Sequence, residues 1–197
     1  KVEFLKRPDS YPDTLRQVEV VETHMSWVFL TDNHAYKLKK PVRYEFLDFS
    51  TVDARHHDCN EEVRLNRRLA RDVYIGTVPL IADEMGNMRL AGAGTVIDWL
   101  VKMRRLPRER MLDHAIKNHT VSEIEITNVA LALANFYKDS IPIEIAPSEY
   151  RQRFEVDIHA NLRELTIPAY GLPIDLVPRV CAAQLEFIKR ASELFDR

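Results

Sequence analysis

Apolar and polar positions follow two rhythms along this chain, and the change falls near Pro107. Before it, short alternating and β-branched runs predict strands over 17–23, 27–30 and 35–40, with Asp32-Asn33 as a turn between the last two. These read as an antiparallel meander. Ser50 with Asp53 three residues on resembles a capping box, and Val63, Leu65 and Leu69 among many charges carry a helix to about Ala70. Strands resume over 78–82 and 88–90 around a Gly86-Asn87 turn, and again over 95–103, for a sheet of five or six strands. Beyond Pro107 the pattern is helical. Ser122 and Glu125 open a helix with Ile124, Val129, Leu131, Leu133 and Phe136 at helix-compatible spacing. Two more helices are predicted over 148–165 and 174–197, parted by a break from Pro168 to Pro173.

Three strands, a helix, more strands and then only helices predict an α+β chain in the order of a protein-kinase-like fold. The expected parts are an antiparallel β-sheet N-lobe with one long helix over 1–103, a hinge at 104–107, and a partial α-helical C-lobe over 108–197.

Composition narrows the class. The chain has 197 residues and is 46% hydrophobic, enough to bury a core. With 28 basic and 30 acidic residues its formal net charge is only -2, which disfavours nucleic acid or an anionic membrane as a partner of the whole surface. No apolar run approaches a membrane span. Cys59 and Cys181 lie far apart without a signal peptide, which predicts reduced thiols in a cytoplasmic protein. The chain starts at Lys1 rather than Met and runs into a helical pattern at its end, so a proteolytic product or a piece of a longer reading frame is expected.

The candidate chemistry lies on the third predicted strand and the helix after it. A nucleotide's phosphates need a cation on a rigid strand, and that cation needs a carboxylate to orient it. Lys37 and Lys39 share one strand face, because side chains alternate with period two, while Lys40 points the other way. Either of the first two can serve; Lys39 is favoured because Leu38-Lys39-Lys40-Pro41 ends the strand as in many small-molecule kinases. On the helix, Glu62, Leu65 and Leu69 fall at spacings of three and four, which turns Glu62 toward the sheet and leaves Glu61 about a quarter-turn away.

Several blocks are specific enough to name a likeness. They are Glu22 to Leu30, Tyr36-Lys37-Leu38-Lys39-Lys40-Pro41-Val42, Phe46-Leu47-Asp48-Phe49-Ser50, Leu65-Asn66-Arg67-Arg68-Leu69-Ala70, and Trp99 to Pro107. Together they resemble the aminoglycoside phosphotransferase-like proteins of bacteria, in particular the branch often fused to a P-loop ATPase domain. The resemblance runs from Tyr11 to about Arg197. It implies ATP or GTP as phosphoryl donor, Mg²⁺, an unidentified small-molecule hydroxyl acceptor, and a fused or partner P-loop ATPase domain. It also implies a catalytic aspartate in a His-Gly-Asp loop and a second, metal-binding aspartate; this sequence contains neither loop. An adenine pocket is expected between the sheet and the hinge backbone, at Met103 to Arg105. The alternative is a non-catalytic pseudokinase or regulatory binding module.

Other features have plainer readings beside the functional ones. The turn Thr23-His24-Met25-Ser26 sits where a glycine-rich phosphate loop would lie but has no glycine. The Thr23 and Ser26 hydroxyls can meet a phosphate, and an ordinary hairpin is the equal alternative. His56-His57-Asp58-Cys59 suggests a metal, yet neighbours on a helix point about 100° apart, so a solvated face is expected. Asp48-Phe49-Ser50 is assigned to a structural linker. The stripe Arg64, Arg67, Arg68 and Arg71 is expected to be solvated and salt-bridged, and Trp27, Phe29 and Trp99 to be core.

Overall fold

Strand pairing follows the sequence rhythm closely. The computed structural model describes residues 1–13, 16–44 and 47–195. Phe46 of the resembling blocks and the last two positions of the final predicted helix, Asp196 and Arg197, lie outside the described residues. The chain divides into two compact units, Lys1–Phe136 and Tyr137–Arg197.

The first unit opens with a short helix, α1 (Val2–Leu5), and a meander of β1 (Glu19–Glu22), β2 (Ser26–Leu30) and β3 (His34–Lys39). A two-stranded ribbon, β4 (Arg43–Tyr44) with β5 (Leu47–Asp48), leads into α2 (Val52–Asn66). Then come β6 (Tyr74–Ala82), β7 (Met88–Leu90) and β8 (Thr95–Arg104), followed by α3 (Leu112–Lys117) and α4 (Glu123–Lys138). The main sheet has six strands in the order β1-β2-β3-β8-β6-β7. Its pairings are all antiparallel. The chain is therefore α+β, with the sheet ahead of most of the helix.

Period-two alternation gives the sheet two different faces. On one, Phe29, Tyr36, Leu38, Leu80 and Leu100 form a core capped by Phe4 and Leu5 of α1 and by Tyr11. Each such side chain, fully buried, contributes roughly 1.5–3 kcal/mol of transfer free energy. On the other face, Cys59 and Val63 of α2 pack on Val101, with Tyr74, Trp99 and Met103 around them. The lysine-bearing face of β3 lies on this second side.

The local boundaries differ from the sequence pattern for identifiable reasons. Strand β6 begins at Tyr74, four residues before the expected Val78, because Gly76 takes up a register shift that interrupts the alternation. Helix α2 is capped by Thr51, whose Oγ1 accepts from the Ala54 amide at 3.1 Å, and not by Ser50. The Ser50 hydroxyl is already committed, donating to Asp48. The helix also stops at Asn66 rather than near Ala70. Leu65 and Leu69, expected on the inward face, are 47% and 56% exposed. The inward stripe is instead Arg55, Cys59 and Val63 at spacings of four, and Leu65, two residues past Val63, has turned about 200°. Past the helix end, the Arg67 guanidinium binds the Tyr74 and Ile75 carbonyls and fastens the turn into β6.

In the second unit, α5 (Pro147–Leu165) and α6 (Leu176–Arg190) pack through Ile158, Cys181 and Ile188. Gly171 in the left-handed conformation, φ +61°, ends the intervening turn. The last helix stops at Arg190, short of its expected end, and a 3-10 turn follows over Ser192–Leu194. Among the described residues no helix is long and apolar enough to cross a membrane.

Candidate functional site

Helix α2 lies across the lysine face of β3, and four charged side chains interleave there. Lys39 Nζ is 2.5 Å from Asp58 Oδ2 and 2.6 Å from Glu62 Oε2. Lys37 Nζ is 2.9 Å from Glu62 Oε1. Spacing of two on the strand and of four on the helix makes this possible, since each repeat keeps its residues on one face. The expected pairing of strand lysine and helix carboxylate is thus present, with both lysines engaged. Lys40 points the other way as anticipated, bonded to Glu22 and lying 4.9 Å over the Trp27 ring. Glu61 pairs with Arg64 instead.

The electrostatics favour the charged forms of Glu62 and Lys39. Burial alone would push the Glu62 carboxyl up, but hydrogen bonds and charge from Lys39, and then from Lys37, outweigh it and hold it below the ordinary carboxylate range. Burial likewise opposes the Lys39 ammonium, and its bonds to Asp58 and Glu62 reverse that, raising its pKa. The Lys39 ammonium also lies 5.1 Å from the Phe49 ring centre. Asp48-Phe49-Ser50 is a linker, as expected, and its phenyl ring covers the inner lysine.

A cleft of about 910 Å³ opens next to this cluster. Ala35, two residues from Lys37 on the same face of β3, and Asn66, one turn beyond Glu62 on α2, both line it. Its walls are largely apolar, with Val21, Leu30, Tyr74, Met103 and Leu106. Met103 and Arg105, both candidate residues, are on the lining. The Arg104 and Arg105 amides donate to the Val73 and Asn33 carbonyls at 2.8 Å. The Arg105 guanidinium bonds the Thr31 carbonyl and Glu19. This stretch is a tied-down wall whose two amides are already used.

No family model and no solved structure matches this chain. Uncharacterized proteins of Mycobacterium tuberculosis and Mycobacterium bovis are each 31% identical to it over 131 residues, covering 66% of this chain. The matched stretch makes up only 24% of each relative, so the chain corresponds to about a quarter of the length of these curated relatives.

Thr23 and Ser26 close the β1–β2 hairpin. The Thr23 amide and hydroxyl both donate to the Ser26 carbonyl, and the Ser26 amide donates back to Thr23 Oγ1 at 3.0 Å. Ser26 is buried. The stretch His56 to Cys59 is not the solvated face that was expected. His56 stacks on Trp99 with ring centres 3.7 Å apart, Asp58 meets Lys39, and Cys59 is fully buried, leaving only His57 exposed. The inward stripe of α2 runs through this segment, and burial pushes the Cys59 thiol up to about 12. In the arginine stripe, Arg64 pairs with Glu61, Arg67 binds carbonyls, and Arg68 lies over Phe136.

Two participants escaped the sequence reading. Asp58 was hidden in an apparent metal motif, although its spacing of four from Glu62 is a usable signal. The other is the Arg55–Asp98 pair that anchors α2 to β8, joined at 2.7 and 3.0 Å. Its members are 43 residues apart, and no local pattern connects them.

Proposed function

We propose that this chain is the nucleotide-holding part of an aminoglycoside phosphotransferase-like protein with a protein-kinase-like fold. In this reading ATP or GTP lies in the cleft beside β3, its base against the apolar walls at Met103 and Leu106 and its phosphates toward the lysines. The observation that carries it is the Lys37/Lys39–Glu62 cluster, which is not itself on the lining but lies one side-chain repeat along β3 and α2 from Ala35 and Asn66, which line a cleft of nucleotide size. Because the Arg104 and Arg105 amides are spent within the protein, the base is held there by packing and not by those two donors.

The reaction is transfer of the terminal phosphoryl group to a hydroxyl of a small molecule. The acceptor oxygen bonds to phosphorus as the bridging P–O bond breaks, the nucleoside diphosphate leaves, and the hydroxyl proton passes to a base. Residues of this chain supply the first requirement, a fixed cation beside the donor phosphates. The resemblance assigns the base to an aspartate that this sequence does not contain. Among the described residues no three His, Cys, Asp or Glu side chains converge as a metal site; Asp58 and Glu62 are taken by lysines, and Glu19 on the cleft lining by Arg105. They do not fit Mg²⁺ by themselves, and the reading assigns it no ligand here.

Titration with ATP followed by thermal unfolding tests this. Ligand at 100 times its dissociation constant stabilises by about 2.7 kcal/mol, so a clear rise in Tm is expected. No rise up to millimolar ATP or GTP overturns the reading.

A further inference from the structure

The two lysines are not equivalent. Helix α2 and strand β3 pass one another so that charges alternate in the order Asp58, Lys39, Glu62, Lys37, after which come Asn66 and Ala35 on the cleft lining. Lys39 occupies the inner position. Its side chain is 5% exposed, two carboxylates hold its ammonium, and Phe49 covers it. Two of its three donors are taken by Asp58 and Glu62, which leaves one. Lys37 occupies the outer position, 29% exposed, with one carboxylate oxygen as partner. An ammonium has three donors, so Lys37 keeps two for a ligand.

We propose that Lys37 makes the phosphate contact with a nucleoside triphosphate, and that Lys39 and Asp58 are positioning residues that hold Glu62 in place behind it. This assignment rests on the nucleotide reading above and reverses the preference for Lys39 drawn from the strand ending. Its logic is a division of charge. A buried carboxylate facing one lysine would neutralise the cation meant for the ligand. A second lysine, itself balanced by Asp58, supports the carboxylate and leaves Lys37 a share of its charge. Without Lys39, Glu62 would turn wholly upon Lys37.

The test compares affinities for ATP and for adenosine, by titration calorimetry, in the wild-type chain, Lys37→Ala and Lys39→Met. The ratio of the two cancels any general loosening of the cleft, because only ATP carries phosphates. Loss of one charge-assisted contact lowers the ATP-to-adenosine ratio by about tenfold or more in Lys37→Ala, with adenosine binding retained. Lys39→Met lowers the ratio by less, and Lys37→Arg restores part of it. Circular dichroism checks that each variant is folded; the half-exposed Lys37 is the safer site, so the result does not hinge on Lys39→Met. A ratio unmoved in Lys37→Ala, or falling further in Lys39→Met, overturns the assignment while wild-type ATP binding keeps the nucleotide reading. Absence of ATP binding by the wild-type chain overturns both.

Discussion

Arg55 on α2 and Asp98 on β8 form a two-pronged ion pair in the interior, with side chains 3% and 4% exposed. Arg55 Nη1 also donates to the carbonyls of Phe49, Ser50 and Thr51, so one guanidinium ties the helix start to the strand that borders β3. This clamp fixes where Asp58 and Glu62 fall, one and two turns further on.

Removing one partner should therefore be costly. Arg55→Ala leaves a buried carboxylate with Lys1 and the Trp99 amide as its partners and is expected to destabilise the chain by about 3–5 kcal/mol in urea unfolding. Asp98→Asn, which keeps an acceptor oxygen, should cost less. Equal stability of Arg55→Ala and wild type would show that the clamp is dispensable.

Acid should weaken the fold through the same groups. Burial raises the Asp98 carboxyl, but Arg55 and then Lys1 more than offset it; Glu62 is held down in the same sense by its lysines. Folded values below the unfolded ones mean stability that is complete above the ordinary carboxylate range, about pH 4, and is lost as pH falls through the folded values. Urea midpoints measured from pH 7 to pH 3 should decline below about pH 4. Glu62→Gln should flatten part of that decline.

Cys59 should be chemically silent in the folded chain. It is fully buried, and its thiol is pushed up to about 12, so almost no thiolate forms at pH 8. A thiol reagent at pH 8 should label Cys59, mapped by mass spectrometry, only after denaturation. Fast native labelling at Cys59 would mean that α2 opens readily from the sheet.

Gly94, at the entry to β8, has φ +138°, and a Cβ there would fall 2.5 Å from Ile81 Cγ2 and 2.7 Å from the Ala82 carbonyl oxygen. Gly94→Ala is expected to cost about 1–3 kcal/mol through backbone strain and overpacking. At Gly86, φ +82°, the space is open and only the backbone term applies. Thermal unfolding should rank Gly94→Ala as the less stable of the two.

The sequence announced most of the sheet, because alternation and turn residues are local signals. It also brought Lys37, Lys39 and Glu62 to one interface, since periods of two and of four settle which way each points. What escaped was non-local or masked by chemistry of another appearance. The capping residue slipped by one position because Asp48 had claimed Ser50. Leu65 and Leu69 looked inward by spacing, yet the helix ended before the second of them. Asp58 sat in a string of apparent metal ligands, and only the packed helix revealed its partner.

Strand β3 carries Tyr36 and Leu38 on one side and Lys37 and Lys39 on the other. A slip of one residue against β2 and β8 would thrust two ammonium groups into hydrocarbon and strand two carboxylates without counterions. The ionic ladder therefore acts as a proofreader of strand alignment, penalising every misthreaded arrangement by an amount that no ordinary surface charge could impose.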